Sequence, residues 1–180
     1  LDILVNNAGV SSTGYFEEVD DSRWQADLDL KLIAAIRCSR LAIPHMKANG
    51  GGRIINVTSN HGKTPGPRSM PTSVSRAAGI ALTKALSKDY AADNILVNTV
   101  CVGMVKAGQY EGGERQRDAE SRGLTLDGMY EEMASKSDIP MGRIGETEEA
   151  GDVIAFLSSE RASYITGASI NIDGGATAVV

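Results

Sequence analysis

Four strand-length runs, DILVNN at 2–7, RIINVTS at 53–59, ILVNTVCV at 95–102 and ASINIDGG at 168–175, are separated by much longer stretches. In those stretches apolar residues recur every three or four positions. This alternation constrains the chain more than any other feature. Runs rich in Val, Ile and Thr suit strands covered on both faces, and strands of that kind pair in parallel. Parallel neighbours need long crossovers, usually helices. The pattern predicts an α/β domain with a parallel sheet of about four strands and helices flanking it.

The first long spacer predicts a helix over about 22–48, with Trp24, Leu28, Leu32, Ala35, Cys38, Leu41 and Ile43 forming its apolar face. Three glycines at 50–52 then end it. A second helix is predicted over about 72–92, where the small residues Ala77, Ala78, Gly79, Ala81 and Ala85 would let another helix approach closely. Thr72, just after Pro71, suits the N-cap of that helix. Residues 103 to about 127 show little core pattern, and Thr147 suits the N-cap of a last helix ending near Ser158.

The net charge of −5 disfavours a phosphate-backbone partner, because nucleic-acid binding usually presents a basic face. No apolar run approaches the roughly 18 residues a membrane span needs. Cys38 and Cys101 are the only cysteines, too few for a disulfide framework. Both are expected to be buried thiols in a reducing, cytoplasmic setting. With two histidines and no cysteine cluster, a metal site is not expected.

NNAG at 6–9, Trp24, GRIINVTS ending at Ser59, KALSKDYAADNILVNTV, the VG of CVGMV, IPMGRIGETEEAGDVIAFLSS and YITGASINIDGG occur in one order and spacing. Together they resemble the short-chain dehydrogenase/reductase family over nearly the whole chain. The resemblance implies a Rossmann-like, doubly wound parallel sheet, NAD or NADP as cofactor, and a small carbonyl or alcohol substrate. It also implies a homodimer or homotetramer packed through helices 22–48 and 72–92. The family opens with a Gly-rich turn that seats the dinucleotide's pyrophosphate, yet no G-x-G-x-x-G occurs here. The 180 residues are therefore expected to form one partial domain, the C-terminal two-thirds of a family member, with a substrate lid over about 103–136.

Family members carry an Asn, Ser, Tyr, Lys tetrad in which the tyrosine hydroxyl moves the proton. By the same spacing Lys31 stands at the asparagine position, Ser59 is retained, Thr72 replaces tyrosine and Arg76 replaces lysine. An aliphatic hydroxyl is a far weaker acid than a phenol. If the chain turns over substrate, His61 or Lys31 is expected to supply the proton. Arg76 is expected to reach the nicotinamide ribose. Asn7, Ala8 and Gly9 are expected to edge the cofactor, with Asn7 also tying neighbouring strands together. Gly103 and Val105 are expected to meet the nicotinamide. Ala107 stands where a phosphate-binding threonine is usual. Two alternatives stay open: an inactive homologue kept for binding or assembly, and a fragment that needs its missing half.

Overall fold

The computed structural model describes residues 1–107 and 114–179. Its main sheet has four parallel strands in sequential order: β1 (Ile3–Asn6), β3 (Gly52–Ser59), β5 (Ile95–Val102) and β6 (Ser169–Ile172). Two short strands, β2 (Thr13–Gly14) and β4 (Met70–Pro71), pair antiparallel as a separate ribbon. The helices are α1 (Asp21–Leu28), α2 (Ala34–Ala48), α3 (Thr72–Tyr90), α4 (Glu114–Ser121), α5 (Leu126–Lys136) and α6 (Thr147–Ser158).

Strand alternation divides the core between two faces. Ile54, Ile95 and Val97 meet Ala42, Ile43 and Met46 of α2, with Leu86 of α3 packed alongside. Ile55 and Val100 on the opposite face meet Leu157 of α6. The predicted α/β layering is therefore present. None of the helices among the described residues is long and apolar enough to cross a membrane.

A buried polar chain holds α3 in register with the sheet. Asn6 donates to Asn56 Oδ1 at 2.8 Å, and Asn56 donates to Thr83 Oγ1 at 2.8 Å. The Thr83 hydroxyl also bonds Thr99 and donates to the Gly79 carbonyl at 3.0 Å. This corrects the expectation for Asn7: Asn6 ties the strands, because alternate strand residues face opposite ways and Asn7 is exposed.

The predicted helix over 22–48 is interrupted by a π-helical turn, Asp29–Ile33, which joins α1 to α2. Its extra residue rotates the helix beyond it, so the buried positions of α2 are Ala35, Ser39, Ala42, Ile43 and Met46. Cys38 is consequently exposed and Leu41 is 72% exposed, contrary to expectation. Cys101 is buried as expected. The stretch with little core pattern holds α4, and α5 follows it; Ala119 of α4 and Met129, Tyr130 and Ala134 of α5 form a small core with Ile144. Residues 108–113 of the expected lid lie outside the described residues. Glu146, not Thr147, caps α6, its amide donating to Glu149 Oε2 at 2.7 Å.

Candidate active site

Parallel strands present their carboxyl ends together, and in open α/β sheets ligands dock there. Ser59 ends β3, and its Oγ is buried with no protein partner. Thr72 opens α3 directly after the β4 strand, and the β2–β4 ribbon brings Ser12 beside it. The Ser12 amide donates to Thr72 Oγ1 at 3.1 Å, and Lys31 Nζ donates to the same oxygen at 3.0 Å. Thr72 is thus the first helical residue, and the N-cap expected of it is Pro71, which makes no side-chain cap bond. Tertiary partners have taken the oxygen that local capping would have used.

Lys31 lies inside the π-helical turn, and its side chain is almost wholly buried. Its ammonium bonds Asp27 Oδ1 as well as Thr72. Asp27 is 4% exposed, and its second oxygen, Oδ2, is buried without a partner. Burial pushes the Lys31 ammonium below the ordinary lysine range. The hydrogen bond and charge of Asp27 oppose that push, and the Arg76 guanidinium adds to it.

Arg76, one turn along α3 from Thr72, donates through Nη1 to the Val57 carbonyl at 2.7 Å. Its Nε is buried and unpaired, and burial lowers its pKa against the charge of Asp27. A Cβ added at Gly9 would stand 2.6 Å from Arg76 Nη2, so the guanidinium lies against the backbone there. Lys31 thus links Asp27 to Thr72, and Arg76 lies within electrostatic reach of both Asp27 and Lys31. Asp27 is the member that sequence reasoning missed; the signal for it was an acid four residues before the lysine at the asparagine position.

His61 sits exposed in the short turn Asn60–Gly62 and makes no bond to this cluster. Ala8, like Asn7, is exposed at the end of β1. A Cβ at Gly103 would lie 2.6 Å from the Asp173 Cβ, so the end of β5 closes tightly on the end of β6. Val105 bridges to Gly145, and the Ala107 amide donates to the Val105 carbonyl at 2.8 Å. A cavity of about 480 Å³ opens beside Val105, lined by Met104, Met141, Arg143, Ile172 and Asp173. Asn171 Oδ1, on the same cavity wall, is buried and unpaired. Among the described residues no group of three or more His, Cys, Asp or Glu side chains could hold a metal ion.

These residues fit the nicotinamide end of a dinucleotide: two unpaired buried donors, Ser59 Oγ and Arg76 Nε, accompany a side-chain-free backbone edge at Gly9. Comparisons with known proteins identify the family. Residues 1–177 match a family model described as enoyl-(acyl carrier protein) reductase. The chain is 39% identical over 179 residues to an uncharacterized oxidoreductase of Thermotoga maritima, covering 99% of this chain and 68% of that protein. L-sorbose reductase from Gluconobacter frateurii, solved with NADPH and L-sorbose, superposes with a TM-score of 0.92 at 32% identity, covering 99% of this chain and 67% of that one. An NADPH-bound short chain oxidoreductase from Pseudomonas aeruginosa PAO1, described as containing an atypical catalytic center, gives a TM-score of 0.88 at 30% identity, with 99% and 66% covered. The chain thus spans about two thirds of the length of the proteins it matches. Fold and similarity together place the chain in the short-chain dehydrogenase/reductase family of oxidoreductases.

Proposed function

We propose that the chain carries the catalytic part of an NADPH-dependent reductase of small carbonyl compounds, with Lys31, Ser59, Thr72 and Arg76 in the four tetrad positions. One observation carries this reading. The Thr72 oxygen accepts from the Ser12 amide and from Lys31, which occupies both its lone pairs and leaves its O–H as a donor. A weak acid becomes a usable proton relay when a cation stands ready to replace its proton.

When bound, the nicotinamide supplies the hydride. Ser59 Oγ, buried and unpaired, donates to the substrate oxygen and polarises the carbonyl. As the carbonyl carbon is reduced, its π electrons move to oxygen, and the Thr72 O–H proton passes to that alkoxide. A Lys31 N–H proton passes to Thr72 Oγ1 in the same motion, leaving a neutral amine that regains its proton from solvent. Arg76 keeps positive potential over the site and offers Nε to a ribose hydroxyl. NADPH is favoured as cofactor by the two NADPH-bound structures to which the chain is similar. Leu41 at 72% and Val74 at 44% exposure stand uncovered on the two long helices and suit a homo-oligomeric contact there.

The test compares this chain with a version extended to the length of its relatives. NADPH binding is read by energy transfer from Trp24, the single tryptophan, and turnover on a panel of ketones and aldehydes. The extended protein should bind and turn over, and Thr72→Val and Lys31→Met should each lower kcat at least about 100-fold, within the range of general acid catalysis. Unchanged kcat in either variant would refute the relay. Binding without turnover on any substrate would favour a non-catalytic homologue.

A further inference from the structure

We propose that Asp27 is the positioning residue of this site: its carboxylate holds the Lys31 ammonium against the Thr72 hydroxyl. The inference rests on the Lys31–Thr72 reading above and adds a fifth residue, one that the four tetrad positions do not include.

Three observations carry it. The first is geometric. Asp27 and Lys31 are four residues apart across the junction of α1 with the π-helical turn, and both side chains are almost wholly buried. A flexible four-carbon stem has many places to put its ammonium. Here one end of the ammonium is fixed by Asp27 Oδ1 and another by Thr72 Oγ1. The π turn presents Lys31 toward α3, and turns of this type recur at functional positions.

The second is electrostatic. The charged groups facing Lys31 are Asp27 from its own helix and Arg76 from α3, and they act in opposite senses. Two cations and one carboxylate share the enclosure. Without Asp27 the ammonium would face only a like charge and its own desolvation, both of which favour the neutral amine. A neutral Lys31 has no acidic proton to pass to Thr72.

The third concerns cost. A buried ion pair is often no more stable than an apolar pair of the same volume, so fold stability is a poor reason for this one. The carboxylate is also incompletely satisfied, since Oδ2 is buried with no partner. A buried polar atom left unpaired costs about 1–3 kcal/mol, more when charged. A purely structural role would have been served as well by apolar residues at both positions.

The experiment is an NMR titration of protein carrying 13Cε-labelled lysine, with the Lys31 signal assigned by its loss in Lys31→Met. Asp27→Asn should lower the Lys31 midpoint by about one pH unit or more, the usual effect of an adjacent opposite charge, and Asp27→Glu should restore most of it. A folded Asp27→Asn protein with an unmoved Lys31 midpoint would overturn the proposal. If Asp27→Asn does not fold, Lys31→Met is added. Recovery of cooperative unfolding in the double variant supports the pairing, and no recovery shows that Asp27 serves something other than Lys31 and overturns it. The outcomes separate the two levels. Coupled titration with unchanged kcat in Lys31→Met upholds Asp27 as the holder of the ammonium and removes only the proton path.

Discussion

Replacing Thr83 by valine tests whether the polar chain Asn6–Asn56–Thr83–Thr99 sets the position of α3, and with it the distance between Ser59 and Thr72. The two side chains have nearly the same shape, so packing is kept and the hydroxyl alone is lost. That hydroxyl is 1% exposed as part of its residue, accepts from Asn56 Nδ2, bonds Thr99 Oγ1 and donates to the Gly79 carbonyl. Three bonds disappear, and Asn56 and Thr99, themselves buried, lose a partner each. A neutral hydrogen bond contributes about 1 kcal/mol net, while a stranded buried donor costs about 1–3 kcal/mol. Allowing for partial relaxation, Thr83→Val should destabilise by about 2–4 kcal/mol. For a domain of this size that lowers Tm by about 10 °C, at 2–4 °C per kcal/mol. Urea midpoints and thermal melts of wild type, Thr83→Val and Thr83→Ser provide the measurement. Serine keeps the hydroxyl and loses one methyl, so it should cost only about 1 kcal/mol. If valine is tolerated within about 0.5 kcal/mol, or serine is the worse of the two, apolar packing and not the polar chain positions α3.

Three further outcomes are expected at the site and its edges. Gly9→Ala places a Cβ where Arg76 Nη2 now lies, 2.6 Å away, and should displace the guanidinium from the Val57 carbonyl. Moving the guanidinium takes Nε away from the ribose hydroxyl proposed for it, and losing that charge-assisted bond, about 1.5–3 kcal/mol, should weaken NADPH binding by the extended protein at least about tenfold in a fluorescence titration; equal affinity would refute the Arg76–ribose contact. His61→Ala should leave kcat within about twofold of wild type, since the side chain is exposed and outside the hydrogen-bonded cluster; a large loss would return the proton role to His61. Glu149 is held at a pKa of about 2 by the Arg143 guanidinium and by the Glu146 amide. A depressed carboxylate contributes stability that is present above its unfolded value of 4.5 and lost as pH falls toward about 2. Arg143→Ala should therefore flatten the loss of stability between those pH values in urea titrations. An unchanged slope would mean that the Arg143–Glu149 pair is not maintained in solution.

The legibility of each element in the sequence depends on the range of the forces that shape it. Strands β3 and β5 are legible because a strand covered on both faces must be apolar almost throughout, and few other structures tolerate RIINV or ILVNTV. The π-helical turn leaves no mark, since no residue type demands one. An uninterrupted helical period carried through it keeps Ala35 and Ile43 inside but also places Cys38 and Leu41 there, and both lie outside. Helix α5 has a usable signal in Leu126, Met129, Tyr130 and Met133, but its partner helix lies among charged residues and glycines that suggest loop. Thr72 misleads for another reason: locally it is a good cap, and only the ribbon bringing Ser12 alongside redirects its oxygen.

The site residues make physical sense jointly and not singly. A threonine hydroxyl sits close to its own backbone, so a group that replenishes its proton must approach from a neighbouring element, and Lys31 does so only because the π turn carries it inward. Placing that lysine near Arg76 puts two cations in one enclosure, which a carboxylate must balance, and Asp27 is the carboxylate within reach. Introducing any one of these residues alone into a site built on asparagine, tyrosine and lysine would bury an uncompensated charge or leave a hydroxyl without a proton source. The expected consequence is strong non-additivity: Asp27→Leu and Lys31→Met should each destabilise by about 3–5 kcal/mol, while the double variant should lose far less than their sum. Simple additivity in a double-mutant cycle would mean that these residues are independent neighbours, and the shared enclosure would lose its explanation.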